Sequence, residues 1–127
     1  MVSFEAFRAV DGTPVYLQII NFIKRGAIAG TIRDGDELPS RRVLSALLGI
    51  NPNTVQKAFR LLEEEHLMES RTGAKSCMTL PPDTLDALRR EVLSDELRTM
   101  ARTLRQLGIS REEALQLIEQ AWEEEER

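Results

Sequence analysis

Apolar residues in the first part of the chain recur at helical spacing, and the first such stretch lies between two helix-end signals. Thr13-Pro14 is typical of an N-cap followed by proline at the first helical position, and Gly30 is typical of a helix end. The pattern predicts an amphipathic helix of about four turns. Its apolar positions are Tyr16, Ile19, Ile20, Ile23, Ala27 and Ile28.

Two shorter helices are predicted next, separated by a tight turn. Ser40 is the predicted start of the second helix and Gly49 follows its end, whereas Asn51-Pro52 opens the third helix. Two helices joined by a short turn that contains glycine form a helix-turn-helix. The predicted apolar faces are Leu44, Leu47 and Leu48 on the second helix, and Val55, Ala58, Phe59 and Leu62 on the third.

A β-hairpin is predicted after the third helix. Residues 67–71 and 76–80 flank a basic, glycine-containing tip at 72–75, which is typical of a hairpin. A helix-turn-helix followed by a hairpin is a winged helix.

The predicted exposed face of the third helix carries hydrogen-bonding and basic groups, with no acidic residue before Glu63. Asn and Gln can pair with adenine, and Lys or Arg with guanine, in the major groove of DNA. An ordinary solvated polar surface is the alternative interpretation. The face consists of Asn53, Thr54, Gln56, Lys57 and Arg60.

The second part of the chain predicts two further helices. Two prolines precede Asp83, which is a candidate cap, and a long helix is predicted from Asp83 to Leu107. Gly108 ends it, and Ser110 with Glu113 forms a capping box for a final helix. We therefore predict a domain of residues 1–80 and a tail of residues 81–127.

The apolar surface of these two helices exceeds what they can bury against each other. We predict that a second copy of the chain covers it across a two-fold axis, with Trp122 as a packing anchor. Packing back onto the first domain is the alternative. The candidate dimerisation residues are Leu85, Leu88, Val92, Leu93, Leu97, Met100, Leu104, Leu107, Leu115, Ile118 and Trp122.

Composition narrows the function classes further. The chain has 127 residues and a formal net charge of −4, with the acidic excess in residues 81–127. It is too short for a large two-domain enzyme, it has no apolar run of the ~18 residues that a membrane helix needs, and it has no export signal, so we expect a cytoplasmic protein. The single Cys77 and single His66 predict neither a disulfide nor a metal site, and we expect no catalytic residues and no cofactor.

Several short motifs resemble, in order and spacing, the DNA-binding domain of GntR-type bacterial transcription regulators. The resemblance covers about residues 10–80, and the total length with a two-helix tail is similar to the YtrA-like subfamily. The motifs are Pro14 to Ile19, Gly30, Gly35, Leu38 to Arg42, Asn51 to Val55, Ala58, Leu62-Glu63 and Arg71 to Gly73.

The resemblance implies a homodimeric repressor on a palindromic double-stranded DNA operator, with the third helix in the major groove and the wing near the minor groove. It implies that Arg42 contacts bases or phosphates, that Pro52, Asn53 and Gln56 read bases, and that Thr54 contacts phosphate. Free N–H groups at the start of the third helix are expected to favour a phosphate. The candidate DNA-binding residues are Ser40, Arg41, Arg42, Asn51, Pro52, Asn53, Thr54, Gln56, Lys57, Arg60, Arg71, Gly73 and Lys75.

The chain departs from the family pattern at His66, which stands for a glycine at the end of the third helix, so the resemblance implies a left-handed C-cap at this residue. It also departs in the wing, where Lys75 replaces a second glycine and Cys77 an aromatic residue. These changes concern how closely the wing approaches the groove. The fold class is thus mainly α with a small β-hairpin: a winged helix-turn-helix followed by a two-helix C-terminal dimerisation tail. Two other functions stay open, a protein-interaction adaptor that does not read DNA and a regulator with an unidentified small-molecule effector between the tails.

Overall fold

The computed structural model describes residues 1–71 and 75–127, which form five helices and one small sheet. They fall into two compact units, Met1–Arg89 and Arg90–Arg127. The division between these units lies inside the fourth helix, and the predicted domain boundary after residue 80 stays a prediction. The elements are α1 (Val15–Ala29), β1 (Glu37–Leu38), α2 (Arg41–Leu48), α3 (Pro52–Glu64), β2 (Met68–Arg71), β3 (Lys75–Met78), α4 (Pro82–Gln106) and α5 (Arg111–Glu125).

The start of α1 differs from the prediction. Pro14, not Thr13, is the N-cap, and no side chain caps the helix. The Gln18 side chain instead fastens the preceding loop: its Oε1 accepts from the Val10 N–H at 2.8 Å, and its Nε2 donates to the Thr13 carbonyl at 2.7 Å. The loop is therefore held from within the first turn of the helix. The predicted end at Gly30, with φ 88°, is confirmed.

The helix-turn-helix is confirmed at both predicted caps. Ser40 Oγ accepts from the Val43 N–H at 3.1 Å, and Asn51 Oδ1 accepts from the Asn53 N–H at 2.8 Å. Gly49 lies between the two helices with φ 65°, in the left-handed region that glycine adopts most easily.

The predicted buried face of α3 is confirmed in full, whereas that of α2 is not. Leu44 is completely buried, but Leu47 is 68% exposed, so its placement on the apolar face was wrong. An eight-residue helix with one face in the core can bury only a few positions, and Leu47 lies outside that arc. Four α3 residues are fully buried: Val55, Ala58, Phe59 and Leu62.

The hairpin is confirmed, and it belongs to a three-stranded antiparallel sheet of order β1-β3-β2. Lys75, predicted in the tip, lies in β3 opposite Arg71, and Gly73 lies outside the described residues. β1 was not predicted because a two-residue strand has no periodicity. The turn before it holds the end of β3, since the Gly35 N–H donates to the Met78 carbonyl at 2.9 Å.

The core of the first unit also includes the first residues of the chain, which the sequence analysis left unassigned. Val2, Phe4 and Phe7 are buried, and the Phe4 ring stacks on Phe22 at a centroid distance of 5.2 Å. The Val2 N–H donates to the Glu37 carbonyl at 2.8 Å, which ties this segment to the edge strand β1. The amino-terminal segment is therefore part of the packed domain.

The two tail helices occur as predicted, with one correction at the start of α4. Asp83 is not the cap: it lies in the first turn, and the Leu85 N–H donates to the Pro81 carbonyl at 3.0 Å. Ser110 Oγ accepts from the Glu113 N–H at 3.2 Å, as the capping box requires. Over residues 1–71 and 75–127, no helix is long and apolar enough to cross a membrane.

The predicted left-handed residue after α3 is confirmed, since His66 has φ 61°. We expect His66→Gly to raise the free energy of unfolding by about 0.5–1 kcal/mol, because glycine adopts this conformation without a clash of Cβ. Urea denaturation of both proteins measures the change.

The nearby Glu64 provides a matched control, because it is exposed and lies in the last turn of α3, where the helical backbone suits any L-residue. Glu64→Gly should lower the stability by about 1 kcal/mol through loss of backbone entropy. Destabilisation by both substitutions would contradict strain at His66.

Candidate nucleic-acid interface

Opposite its buried face, α3 presents polar side chains to solvent. Asn53, Gln56 and Arg60 are exposed, and among the described residues their side chains make no hydrogen bond or ion pair. Thr54 is half-buried beside them. Because the opposite side of α3 is packed in the core, the helix positions these exposed polar side chains while their hydrogen-bonding groups stay available.

The start of α3 is closed to a phosphate bound through backbone N–H groups, contrary to our expectation. Pro52 has no N–H, the Asn53 N–H donates to Asn51 Oδ1 at 2.8 Å, and the Thr54 N–H donates to the Asn51 carbonyl at 2.9 Å. Asn51, predicted to contact DNA, uses its side-chain oxygen as the cap. A phosphate here is left with the Thr54 hydroxyl and the positive end of the helix dipole.

The two arginines at the start of α2 have different environments. Arg42 is exposed and makes no side-chain hydrogen bond or ion pair with any described residue. Arg41 is half-buried: its Nη2 lies 3.2 Å from Glu63 Oε1, and its guanidinium lies over the Phe59 ring at 5.3 Å. Arg42 is therefore available to DNA, while Arg41 holds α2 against α3.

Glu63 connects three elements, a role that the sequence analysis missed. Its Oε1 accepts from Arg41 Nη2 on α2 and from Ser70 Oγ on β2, the latter at 2.9 Å. A carboxylate that receives two donors joins the helix-turn-helix to the wing. The sequence signals were that Glu63 is the first acidic residue of α3 and that Leu62-Glu63 is one of the motifs of the family resemblance.

Lys57 is also partly engaged by the fold. Its Nζ lies 4.1 Å from the centre of the Tyr16 ring on α1, a cation–π contact. The residue remains exposed, so its charge still contributes to the potential around α3. Lys57 therefore makes a contact within the fold and also has a charge that a phosphate can approach.

The described basic residues of the wing each face a carboxylate across an exposed ion pair. Arg71 Nη2 lies 3.3 Å from Glu69 Oε1, and Lys75 Nζ lies 3.7 Å from Glu37 Oε1. Exposed pairs of this kind contribute little stability, so either cation can exchange its partner for a phosphate. Ser40 and Pro52, the other candidates, are exposed at the starts of α2 and α3.

Among the described residues, no group of three or more His, Cys, Asp or Glu side chains is arranged to hold a metal ion. The described site thus consists of amides, a hydroxyl and guanidinium groups on a helix-turn-helix beside a wing. These features define a winged helix-turn-helix DNA-binding protein.

Residues 15–75 match the family model "Bacterial regulatory proteins, gntR family". The chain is 29% identical over 105 residues to the HTH-type transcriptional regulator YhcF of Bacillus subtilis, and this alignment covers 83% of the chain and 87% of YhcF. It is 43% identical over 63 residues to the HTH-type transcriptional repressor YtrA of the same organism, covering 50% of this chain and 48% of YtrA.

Among solved structures, a GntR family transcriptional regulator from Listeria monocytogenes has a TM-score of 0.81 and 27% identity. The alignment covers 88% of this chain and 98% of that one. The chain belongs to the GntR family and is a DNA-binding transcriptional regulator with YtrA-like relatives. These relatives are regulators and not enzymes.

The two arginines of α2 yield a stability prediction. We expect Arg41→Ala to lower the free energy of unfolding by about 1 kcal/mol, because it removes packing over Phe59 and the ion pair with Glu63. Arg42→Ala is the control and should stay within about 0.5 kcal/mol of the original protein. Thermal denaturation measures both, and equal losses would contradict the division of roles.

Proposed function

We propose that the protein is a homodimeric transcriptional repressor that binds a palindromic operator, with α3 in the major groove. One observation carries the proposal: the face of α3 opposite its buried side offers amide and guanidinium groups that have no partner within residues 1–71 and 75–127, and it has no acidic side chain before Glu63. Its relative YtrA of Bacillus subtilis is a transcriptional repressor, which supports the direction of control.

The chemistry of the α3 face suits base edges. Asn53 and Gln56 each carry a donor and an acceptor that can pair bidentately with adenine, and Arg60 supplies a charge for a phosphate. Thr54 and Arg42 supply a hydroxyl and a charge for the backbone. An adaptor that does not read DNA would need no such set, and an acidic face would have favoured it.

The exposed apolar surface of the Arg90–Arg127 unit supports dimerisation. Leu97, Leu115 and Trp122 are 61%, 62% and 69% exposed in the single chain. Large contiguous apolar patches are uncommon on the surfaces of monomers and mark interaction sites. Leu88 is buried in the first unit, and Leu85, also there, is half-buried, so the proposal rests on residues beyond Arg90. These are Val92, Leu93, Leu97, Met100, Leu104, Leu107, Leu115, Ile118 and Trp122.

The reading residues yield a specificity prediction. We expect Gln56→Ala or Asn53→Ala to relax base preference at individual operator positions by roughly 1–3 kcal/mol, because a bidentate contact is lost. Arg60→Ala is the comparison and should weaken operator and random DNA by similar factors. Titration of each variant against the operator, single-position variants of it and random duplexes measures the difference. Equal losses on cognate and random DNA for all three would remove Gln56 and Asn53 from the reading role.

The tail yields a prediction about symmetry. We expect Leu97→Asp combined with Leu115→Asp to give a folded monomer, because both side chains are exposed in the single chain and would be charged in the dimer interface. Loss of the second, intramolecular contact should weaken binding to the palindrome by on the order of 10²–10⁴-fold, with half-site binding unchanged. Sedimentation and binding to one and two half-sites measure both effects.

Thr99→Asp combined with Gln120→Asp is the matched control. These substitutions add acid on exposed positions of α4 and α5 that do not line the apolar groove between them. This variant should remain a dimer with full affinity. A dimeric Leu97→Asp, Leu115→Asp protein would show that the tail is not the dimerisation element.

A further inference from the structure

Two rows of opposite charge run along the helices of the Arg90–Arg127 unit. On α4, Arg98, Arg102 and Arg105 are spaced by four and three residues, and on α5 the same spacing separates Glu119, Glu123 and its C-cap Glu126. Residues at these spacings lie on one side of a helix. We call these sets the arginine row and the glutamate row; all six residues are exposed.

The arginine row follows the edge of an apolar groove of about 650 Å³ between α4 and α5. Ala101 and Arg105 line this groove and also the adjoining surface that contains Arg98 and Arg102. Ser110 and Arg111 also line the groove, and the remaining lining is apolar, chiefly Leu97, Met100, Leu104, Ala114, Leu115 and Ile118. A helix that enters this groove must therefore pass beside three arginines.

The glutamate row has the complementary position on α5. Glu119 lies one helical turn beyond Leu115, and Glu126 lies one turn beyond Trp122, so the row adjoins the exposed apolar side of the helix. An α5 helix thus combines an apolar side with a flanking acidic row. The groove has an apolar floor with a flanking basic row.

Within the described residues of one chain these charges are largely unused. Arg102 and Arg105 make no ion pair, nor does any glutamate of α5, while Arg98 has only Asp95 at 3.9 Å and the Ser94 hydroxyl at 2.7 Å. The carboxylates at the end of α5 also face the negative end of its dipole, with no basic residue in the last turn. Both rows would gain from partners of opposite charge.

We propose that the arginine row of one protomer pairs with the glutamate row of the other, with the apolar side of the partner's α5 against the groove. The inference rests on the proposed homodimer and specifies what selects a second copy as the occupant. A two-fold axis makes the contact twice, because each protomer supplies one row of each sign. The pairing sets partner choice and makes dimerisation weaker as salt rises.

A charge exchange in the full-length protein tests the proposal. Arg102→Glu with Arg105→Glu makes the acidic variant, and Glu119→Arg with Glu123→Arg makes the basic variant. Each alone should dimerise on the order of ten- to a hundredfold more weakly, because like charges then face each other. An equimolar mixture should form a heterodimer close to the original affinity, since both contacts again join opposite charges.

Glu124→Arg, compared with Glu123→Arg, is the matched control, because the same charge change on a neighbouring exposed glutamate falls away from the glutamate row. It should dimerise like the original protein, and circular dichroism confirms that every variant is folded. Sedimentation equilibrium measures the dissociation constants at low and high salt. The original protein should lose affinity as salt rises.

Each other outcome overturns the inference in a distinguishable way. Unchanged dimers of both variants would refute the charge pairing and leave the homodimer intact. If each variant dimerises more weakly and the equimolar mixture does not recover the original affinity, the two rows do not pair across the interface. Dimeric arginine variants that lose DNA affinity would make the row a DNA contact, and a monomeric original protein would refute the homodimer as well.

Discussion

The first unit depends on α3 having two faces with incompatible requirements. Val55, Phe59 and Leu62 are fully buried, so one side of the helix is fixed between the other helices and the sheet. The opposite side must remain free of partners if it is to bind anything. A helix held mainly by its apolar side satisfies both requirements, because Asn53, Gln56 and Arg60 on the exposed side make no hydrogen bond or ion pair within the described residues.

Some charged residues on and around α3 make contacts that hold the fold together, and others remain available to bind DNA. Glu63 accepts from Arg41 and Ser70, and Lys57 lies over Tyr16, so these charges join neighbouring elements. Arg42 and Arg60 make no such contact within the described residues. Residue type cannot separate adjacent Arg41 and Arg42. Their difference arises from the direction in which each leaves the first turn of α2.

The features that the sequence predicted are those with local causes. The caps at Ser40 and Asn51, the left-handed His66 and the buried face of α3 each follow from a residue and its near neighbours. The features it missed depend on distant partners: β1 exists because β3 lies beside it, and Phe4 is buried because Phe22 is available to stack. Leu47 was misassigned because helical spacing alone does not show how wide an arc the core covers.

Dimerisation through the Arg90–Arg127 unit and DNA binding through the Met1–Arg89 unit are linked equilibria, even though each unit has its own packing. If a dimer binds an operator more tightly than a monomer does, then DNA strengthens the dimer by the same factor. The proposed charge pairs therefore influence operator affinity without touching DNA. Salt would act in the same direction on both steps, since it screens the tail and competes with cations at the phosphates. The salt dependence of operator binding would then exceed the dependence that phosphate contacts of the arginines and lysines in the Met1–Arg89 unit produce by themselves.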